Sequence, residues 1–447
     1  MEQNRAMTEA DSRKPLTAAE ATAAGAAVRA GFGRTALGSY EPSDRSATVL
    51  IEAQNVGRIP ELVPIRMQRM SADPVSFFRG SVAVMAGDLG RGRSSGIEVI
   101  ASGDAHVGNF GYFVSPLRRP VFDLNDFDQA CLAPWEWDLK RLMTSALIAG
   151  RHAGLPENAV RRASQAAASA YREGLAESLQ LGVADRYYAR VDTDVLGGSA
   201  GSDSQRILTK TIRQARRHAA SDFVAKSTRV DSDGRRIFVD DAPTLSHVVG
   251  DELGAQHEIF AEYRRTVAPE VEVLLSQYRF EDSARRVVGV GSVGTRCFVL
   301  LLSDPLGTPL VLQVKEAAAS VLQSHGGLGV PTGREGRRVV TYQRVLQAVS
   351  DVYLGHVRFE GRDFYVRQFR DAKTVVDISS LSAPQFVSYL RGCGVVLARA
   401  HAQSPRAAEV SGYLGASAKA DEALLTWALA YAEQSASDYR AFRESLS

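Results

Sequence analysis

Two short segments of this chain carry side chains that could do chemistry together. Residues 102–109 place Asp104 and Asn109 five positions apart on a loop that contains two glycines. Residues 121–128 form an apolar run that ends in a cluster of carboxylates, among them Asp126. Hard oxygen ligands of this kind suit a magnesium ion that carries phosphate, and one carboxylate remains to take a proton. The pattern predicts a phosphotransferase site.

Each of these side chains has a predicted role. Asp104 would orient or deprotonate the accepting hydroxyl, and Asn109 and Asp126 would bind the metal. A lone Gly-Asp or Asn-Asp pair would indicate only a turn, but the two segments in succession favour the site. Asp123 and Asp126 face opposite ways if the strand continues, so we expect only Asp126, which ends the apolar run, to be a ligand.

Three neighbouring side chains leave alternatives open. His106 is a candidate base or metal ligand, but the residue type and position favour a group that fixes the loop by hydrogen bonds. Asp128 is either a third acidic metal ligand or a solvated charge. Asp138 either caps a helix or reaches back to the backbone amides of the catalytic loop, and both roles are structural support.

A glycine turn lies between two β-like runs in the last third of the chain. We predict that it binds the nucleotide through Gly291, Ser292, Val293 and Gly294. Free backbone amides in such a turn can lie over phosphates, although a plain hairpin is the competing interpretation. Lys315, on the following strand, strengthens the nucleotide interpretation. Its carboxylate partner is not evident, since Glu316 points to the other face and Glu335 is a weak candidate.

The composition limits the class of protein. The 447 residues are 45% hydrophobic and 23% charged, with a formal net charge of +2, so bulk charge does not predict nucleic-acid binding. No apolar run approaches about 18 residues, and no membrane association is expected. Three widely spaced cysteines fit a reducing compartment, and we expect a cytoplasmic protein without a disulfide framework or zinc site.

Hydrophobic periodicity predicts the elements that must position these residues. Helices are predicted at 48–89, 137–153, 157–182, 206–219, 338–350 and from 383 onward. Strands are predicted at 97–101, 111–114, 120–124, 309–317 and 363–369, and on both sides of the glycine turn. Within the basic segment 206–219, Arg213, Arg216 and Arg217 form either a solvated face or a docking surface for an anionic substrate.

Four regions are expected along the chain. Residues 1–45 are a disordered or loosely packed lead-in, and residues 46–280 are a mainly helical catalytic lobe with the acidic hairpin. Residues 281–375 are a β-rich nucleotide-binding lobe. Residues 376–447 are helices that pack back on the catalytic lobe.

Seven sequence motifs resemble those of the bacterial domain-of-unknown-function family 2252. They are GDAHVGNFG, FDLNDFDQA, PWEWDLKRL, GVGSVGTR, LQVKEA, FYVRQFRDAK and LARAHA. The match extends from about residue 45 to the C-terminus. Membership implies little chemistry, because no biochemical activity is established for that family.

A more distant resemblance is to the aminoglycoside-phosphotransferase-like and choline-kinase-like members of the protein-kinase-like superfamily. It implies that Asp104 is the catalytic aspartate, and that Asn109 and Asp126 bind the metal. It also implies that Asp138 is the supporting aspartate and that Lys315 binds the nucleotide. Two departures from the family pattern stand out. A serine replaces the first histidine of the HGD motif, and the glycine turn and lysine follow the catalytic loop instead of preceding it.

Circular permutation would reconcile the reversed order with the fold, because the parts are all present in cyclic order. The helix over residues 389–402 resembles the helix that precedes the catalytic loop in those phosphotransferases. We therefore expect an α+β, two-lobed, protein-kinase-like fold that is circularly permuted and carries extra helices. An unrelated β domain around Lys315 is the alternative.

The leading function hypothesis is an ATP- and Mg²⁺-dependent phosphotransferase. A metal-dependent phosphoesterase is the second, because Gly-Asp-x-His also occurs in two-metal hydrolases, but the histidine motifs that accompany it there are missing. A nucleotide-binding pseudokinase scaffold is the third. The sequence does not identify the acceptor, which is a small molecule or a protein. It also does not distinguish phosphoryl transfer from adenylyl transfer.

Overall fold

The computed structural model describes residues 15–115, 120–189, 220–287, 289–326, 334–369 and 374–446. The predicted basic helix with Arg213, Arg216 and Arg217 lies outside these residues, as does the tip of the acidic hairpin. The described chain is a mixed α+β structure, as expected from the sequence.

Helices account for most of the described residues. The α-helices are α1 (Ala18–Ala27), α2 (Ala47–Asn55), α3 (Val63–Ser71), α4 (Pro74–Gly80), α5 (Val82–Arg91), α6 (Trp135–His152), α7 (Glu157–Ser178), α8 (Val183–Tyr188), α9 (Ala220–Ser227), α10 (Gly250–Arg264), α11 (Pro269–Leu275), α12 (Glu335–Leu346), α13 (Ala383–His401), α14 (Ala407–Leu414) and α15 (Lys419–Glu444). Short 3₁₀ helices cover Val28–Ala30, Arg34–Gly38, Pro60–Leu62, Val107–Asn109, Gln323–His325 and Ile378–Ser380.

The strands form four antiparallel sheets among the described residues. They are β1 (Glu98–Ala101), β2 (Phe110–Val114), β3 (Pro120–Leu124), β4 (Cys131–Pro134), β5 (Thr228–Val230), β6 (Arg236–Phe238), β7 (Leu245–His247), β8 (Arg279–Arg286), β9 (Cys297–Ser303), β10 (Pro309–Glu316), β11 (Gly355–Phe359), β12 (Arg362–Gln368) and β13 (Thr374–Val375). The largest sheet has six strands in the order β11-β12-β10-β9-β8-β7. The predicted acidic hairpin is β2–β3, and β13 pairs with its β2 edge.

The central strands of the six-stranded sheet are covered on both faces. Alternate residues of a strand point to opposite faces. Leu300 and Leu312 pack with apolar side chains of α10 and α11, whereas Val299 and Val311 pack with α9 and β6. This double cover explains why β9 and β10 read as continuous apolar runs, and it places Lys315 of β10 in a buried position.

The central helix of the helical region is α6. It is buried around almost its whole circumference, including polar residues such as Asp138 and Arg141. It packs against α7, α15 and α4, and α13 packs along α7. Helix α15, from the last part of the chain, thus contacts α6 directly. Polar side chains of α6 can therefore bond to the loops that pack against this helix.

The β-rich region begins earlier than residue 281. Strand β7 lies in the six-stranded sheet, and α10 and α11 pack on one of its faces. The sequence boundary near residue 280 is too late because β7 has only three residues, too few for an alternating pattern to stand out.

Residues 18–38 differ from the expected disordered or loosely packed lead-in. Helix α1 starts with a capping box in which Thr17 and Glu20 exchange hydrogen bonds. Arg29 and Arg34 donate to backbone carbonyls at the end of α14, and α1 packs on that helix. The alanine-rich, weakly amphipathic sequence hides this packing because the buried residues of the helix are small.

Candidate phosphoryl-transfer site

The loop that carries Asp104 is fixed from two sides. Gly103 has a φ of +78°, and a Cβ there would lie 2.1 Å from the carbonyl oxygen of Gln129, so only glycine fits. The carboxylate of Asp138, from α6, accepts hydrogen bonds from the backbone amides of Ser102 and Gly103 at 2.6 and 2.9 Å. This is the reach-back contact that we considered for Asp138, and the helix cap is not observed.

The carboxylate of Asp138 is itself held in place by a residue of α13. His401 Nε2 lies 3.1 Å from the Asp138 carboxylate, and its Nδ1 lies 2.8 Å from the hydroxyl of Tyr171. Tyr389, also on α13, donates to the carbonyl oxygen of Val107 at 2.7 Å. A helix near the C-terminus therefore supports a loop in the first quarter of the chain.

Asp104 is held by an arginine that sequence reasoning missed. Arg141 Nε donates to Asp104 Oδ1 at 2.7 Å, and the aspartate side chain is 18% exposed. Burial raises the pKa of the Asp104 carboxyl and the nearby Asp126 adds to that rise, whereas Arg141 opposes both. Arg141 binds only Oδ1, and the second oxygen, Oδ2, lies 3.9 Å from His106 Nε2.

His106 is in the structural position that the sequence favours. Its Nδ1 accepts a hydrogen bond from the Gly108 amide at 3.0 Å, which makes it the cap of a 3₁₀ turn. Burial holds the pKa of His106 well below its usual range, and the charges of Arg79 and Arg141 act in the same direction. The imidazole is therefore neutral at physiological pH.

Asn109 connects the loop of residues 102–109 to the acidic segment of residues 121–128. Its Nδ2 donates to the carbonyl oxygen of Asp104 at 2.7 Å, and its own carbonyl oxygen accepts from the amide of Asn125 at 2.9 Å. Since the amide nitrogen is engaged within the loop, Oδ1 is the atom of this side chain that suits a cation.

Asp126 and Lys315 line the same cavity, which has a volume of about 280 Å³. Ser292 of the glycine turn lines it as well, together with Gln313 and Arg367. The charge of Asp126 raises the pKa values of both Lys315 and Asp104, so it lies within electrostatic reach of each. The acidic segment and the lysine strand thus meet in space.

The carboxylate partner of Lys315 is Asp128. The two side chains form an ion pair across 187 residues of sequence, and Tyr365 donates to the other oxygen of Asp128 at 2.6 Å. Burial lowers the pKa of Lys315, but Asp126 and Asp128 outweigh it, so the net pKa lies above the ordinary value. The candidate Glu335 pairs with Arg338 instead.

Asp128 was predicted as a metal ligand or a solvated charge. The ion pair and the tyrosine hydrogen bond occupy its two oxygens. Its metal role stays a prediction, and the contact that the structure shows is the ion pair with Lys315.

The glycine turn is held in place by the helical region. The amide of Ile59 donates to the carbonyl oxygen of Gly294 at 2.8 Å, and Arg58 donates to that of Val293. Of the four residues predicted to bind nucleotide, Ser292 lines the cavity and Val293 is fully buried. Gly294 has a φ of +88°. The turn connects two antiparallel strands, as the hairpin interpretation requires, and nucleotide binding by the turn stays a prediction.

The residues that sequence reasoning missed come from three elements. Arg141 lies one helical turn after Asp138, and that spacing is a signal the sequence does contain. Tyr365 is the register partner of Lys315 on β12, and only strand pairing reveals it. Arg338 of α12 donates to the carbonyl oxygens of Asp128 and Ala130, which ties the acidic segment to the β-rich region.

Comparisons with known proteins identify the family. A family model described as an uncharacterized protein conserved in bacteria, domain-of-unknown-function family 2252, matches residues 58–445, and the chain belongs to this family. No curated protein and no solved structure matches the chain.

Two searches of the described residues returned nothing. No group of three or more His, Cys, Asp or Glu side chains there could hold a metal ion. No helix in the described part of the chain has the length and apolar character needed to cross a membrane.

Proposed function

We propose that this member of the bacterial family is an ATP- and Mg²⁺-dependent phosphotransferase. The observation that carries the proposal is the cavity shared by Asp126 and Lys315. An acidic pole and a buried amine on one cavity are what a metal–triphosphate complex needs, because the metal requires oxygen ligands and the phosphates require a cation.

The charges of the cavity fit a polyphosphate. Lys315, Arg286 and Arg367 are cationic side chains on its wall, and Asp126 and Asp351 are the acidic ones. Arg367 is oriented by Gln313, whose Oε1 accepts from its Nε at 2.9 Å. In the proposed function, Lys315 binds the α- and β-phosphates, and the turn around Ser292 covers them.

The donors for Mg²⁺ are Asn109 Oδ1 and the carboxylate of Asp126. Mg²⁺ is commonly held by one or two carboxylates together with phosphates and waters, so a larger cluster of acidic side chains is not required. Mg²⁺ would supply charge neutralisation at the transferring phosphate. Asp128 acts on the nucleotide through Lys315.

Asp104 orients the acceptor hydroxyl. Phosphoryl transfer depends mainly on positioning and charge stabilisation, and an aspartate that is hydrogen-bonded to Arg141 is better suited to holding a hydroxyl than to strong base catalysis. The neutral His106 and the carboxylate of Asp138 keep the loop in shape.

The fold that we propose is protein-kinase-like and circularly permuted. Support comes from α13, which contacts the catalytic loop through Tyr389 and contacts Asp138 through His401. A helix that precedes the catalytic loop in an unpermuted chain would lie in this position. Further support is the strand order, in which the lysine strand β10 lies between β9 and β12.

The test uses the purified full chain, MgATP binding by calorimetry and release of ADP. Asp104→Ala should abolish turnover and leave MgATP affinity within about twofold, because Asp104 faces the acceptor and not the nucleotide. Asp233→Ala is the matched control, since that aspartate is exposed in the β5–β6 turn.

Three results would contradict the proposal. A D104A variant that turns over at the wild-type rate removes Asp104 from its role. MgATP binding with no turnover under any condition favours the pseudokinase. Hydrolysis of a generic phosphate ester without nucleotide favours the phosphoesterase.

A further inference from the structure

Arg79 has no bonding partner among the described residues, although its neighbours Arg66 and Arg141 are bonded. It lies in the last turn of α4, and its Nε is buried without a hydrogen bond. In the part of the chain that the structure describes, its guanidinium makes no ion pair or hydrogen bond. Nearby Arg66 and Arg141 donate to the carbonyl oxygens of Gly80 and Phe78, respectively. Buried polar groups are nearly always satisfied, so the unbonded, buried Nε indicates a missing acceptor.

Arg79 lies between the catalytic loop and the glycine turn. A Cβ built on Gly108 would lie 3.6 Å from Arg79 Nε, and a Cβ built on Gly291 would lie 3.6 Å from the Arg79 carbonyl oxygen. The residue therefore lies beside both of the segments that would hold the two reacting partners.

Arg79 is not the counter-ion of the catalytic aspartate. Asp104 Oδ1 is bound by Arg141, and the second oxygen faces His106 Nε2 at 3.9 Å. The positive charge of Arg79 nevertheless reaches both side chains, since it lowers the pKa values of Asp104 and His106. An anion that met this guanidinium would thus be close to Asp104 as well.

We propose that Arg79 binds the γ-phosphate of ATP at the position from which it is transferred. The proposal rests on the phosphotransferase function. In the transfer step, the bond between the bridging oxygen and the γ-phosphorus breaks and ADP keeps the electron pair. The acceptor oxygen bonds to the phosphorus and its proton leaves towards Asp104.

A guanidinium at this position would form charge-assisted hydrogen bonds with the oxygens of the γ-phosphoryl group. Arginines that act in this way in other phosphoryl-transfer proteins are supplied within the chain or by a partner. Here Arg79 would be supplied within the chain, from a helix that precedes the catalytic loop.

The test compares nucleotides that differ only at the γ-phosphate, so it needs no acceptor. Calorimetry would measure the dissociation constants of Mg²⁺ with a non-hydrolysable β,γ-imido ATP analogue and of MgADP. The proteins are the wild type, Arg79→Ala, Arg79→Lys and the charge-matched control Arg161→Ala. Arg161 is exposed on α7 and pairs only with Glu157 among the described residues.

We expect R79A to weaken binding of the ATP analogue about tenfold or more, in line with a hydrogen bond to a charged group. MgADP affinity should stay unchanged, R79K should recover part of the loss, and R161A should behave as the wild type. Circular dichroism should show a folded R79A protein, because the substitution removes no hydrogen bond or ion pair that the described residues form.

The outcomes separate this inference from the proposed function. Equal loss of ATP-analogue and ADP affinity in R79A, or no loss of either, would overturn the role of Arg79 and leave the phosphotransferase standing. A wild type that binds neither nucleotide would overturn both.

Discussion

Arg141 Nε lies 2.7 Å from Oδ1 of Asp104, and it reaches that carboxylate from the same helix that carries Asp138. Residues three apart on a helix share a face. Asp138 binds the backbone amides of Ser102 and Gly103, while Arg141 binds the side chain of Asp104 in the same loop. One helical turn of α6 thus fixes both the loop and the group that the loop presents.

The pH dependence of turnover should depend on Arg141. Replacing it by methionine removes a positive charge and a hydrogen bond, both of which lower the pKa of Asp104, so that pKa should rise further. Asp104 then takes up a proton at higher pH, and the acidic limb of the rate profile should move up by about 1 to 3 pH units. The measurement is ADP release as a function of pH.

Arg161→Met is the control for the loss of one positive charge in that experiment. An acidic limb that stays in place in R141M would mean that another group controls it.

Asp138→Asn should destabilise the protein. Its carboxylate, 1% exposed, accepts from two backbone amides and faces His401, and a carboxamide offers one oxygen in place of two. Leaving a buried donor unsatisfied costs about 1–3 kcal/mol. We expect a lower thermal midpoint by calorimetry, with Asp233→Asn unchanged. A midpoint equal to that of the wild type would show that the loop does not depend on Asp138.

The local parts of the site could be predicted from sequence because they lie within short segments. Asp104, Asn109 and the β2–β3 hairpin follow one another closely in the sequence. The second strand of the hairpin, β3, has the predicted bounds. The same holds for β10, which ends just after Lys315 as expected.

Contacts between distant segments could not be predicted in this way. The pairing of Lys315 with Asp128 requires two regions to meet, and nothing in either segment encodes the other. The docking of α1 on α14 was missed for a related reason, since its small buried residues give almost no amphipathic signal. The sequence could not single out Arg79, because the lack of a partner among the described residues is visible only in the folded chain.

The roles of Asp126 and Asp128 should separate when Mg²⁺ is titrated. Asp126→Asn should raise the Mg²⁺ concentration needed for ATP binding, because it removes a proposed metal ligand. Asp128→Asn removes the charge that pairs with Lys315, so it should weaken ATP binding about tenfold at saturating Mg²⁺ and leave the Mg²⁺ requirement unchanged. Calorimetry at several Mg²⁺ concentrations makes the comparison. A raised Mg²⁺ requirement in D128N would restore Asp128 as a metal ligand.

The N-terminal helix should be sensitive to one methyl group at Gly25. A Cβ there would lie 1.8 Å from the carbonyl oxygen of Glu409 on α14, so Gly25→Ala must push α1 away from its partner helix. Interiors tolerate such overpacking at a cost of about 1–3 kcal/mol. We expect a lower thermal midpoint and faster proteolytic cleavage before residue 38.

Gly31→Ala is the matched control, because its Cβ would lie 4.0 Å from the nearest atom, the carbonyl oxygen of Val28. If G25A and G31A were cut at the same rate as the wild type, residues 18–38 would not be docked on α14, and the sequence prediction of a loosely packed lead-in would stand.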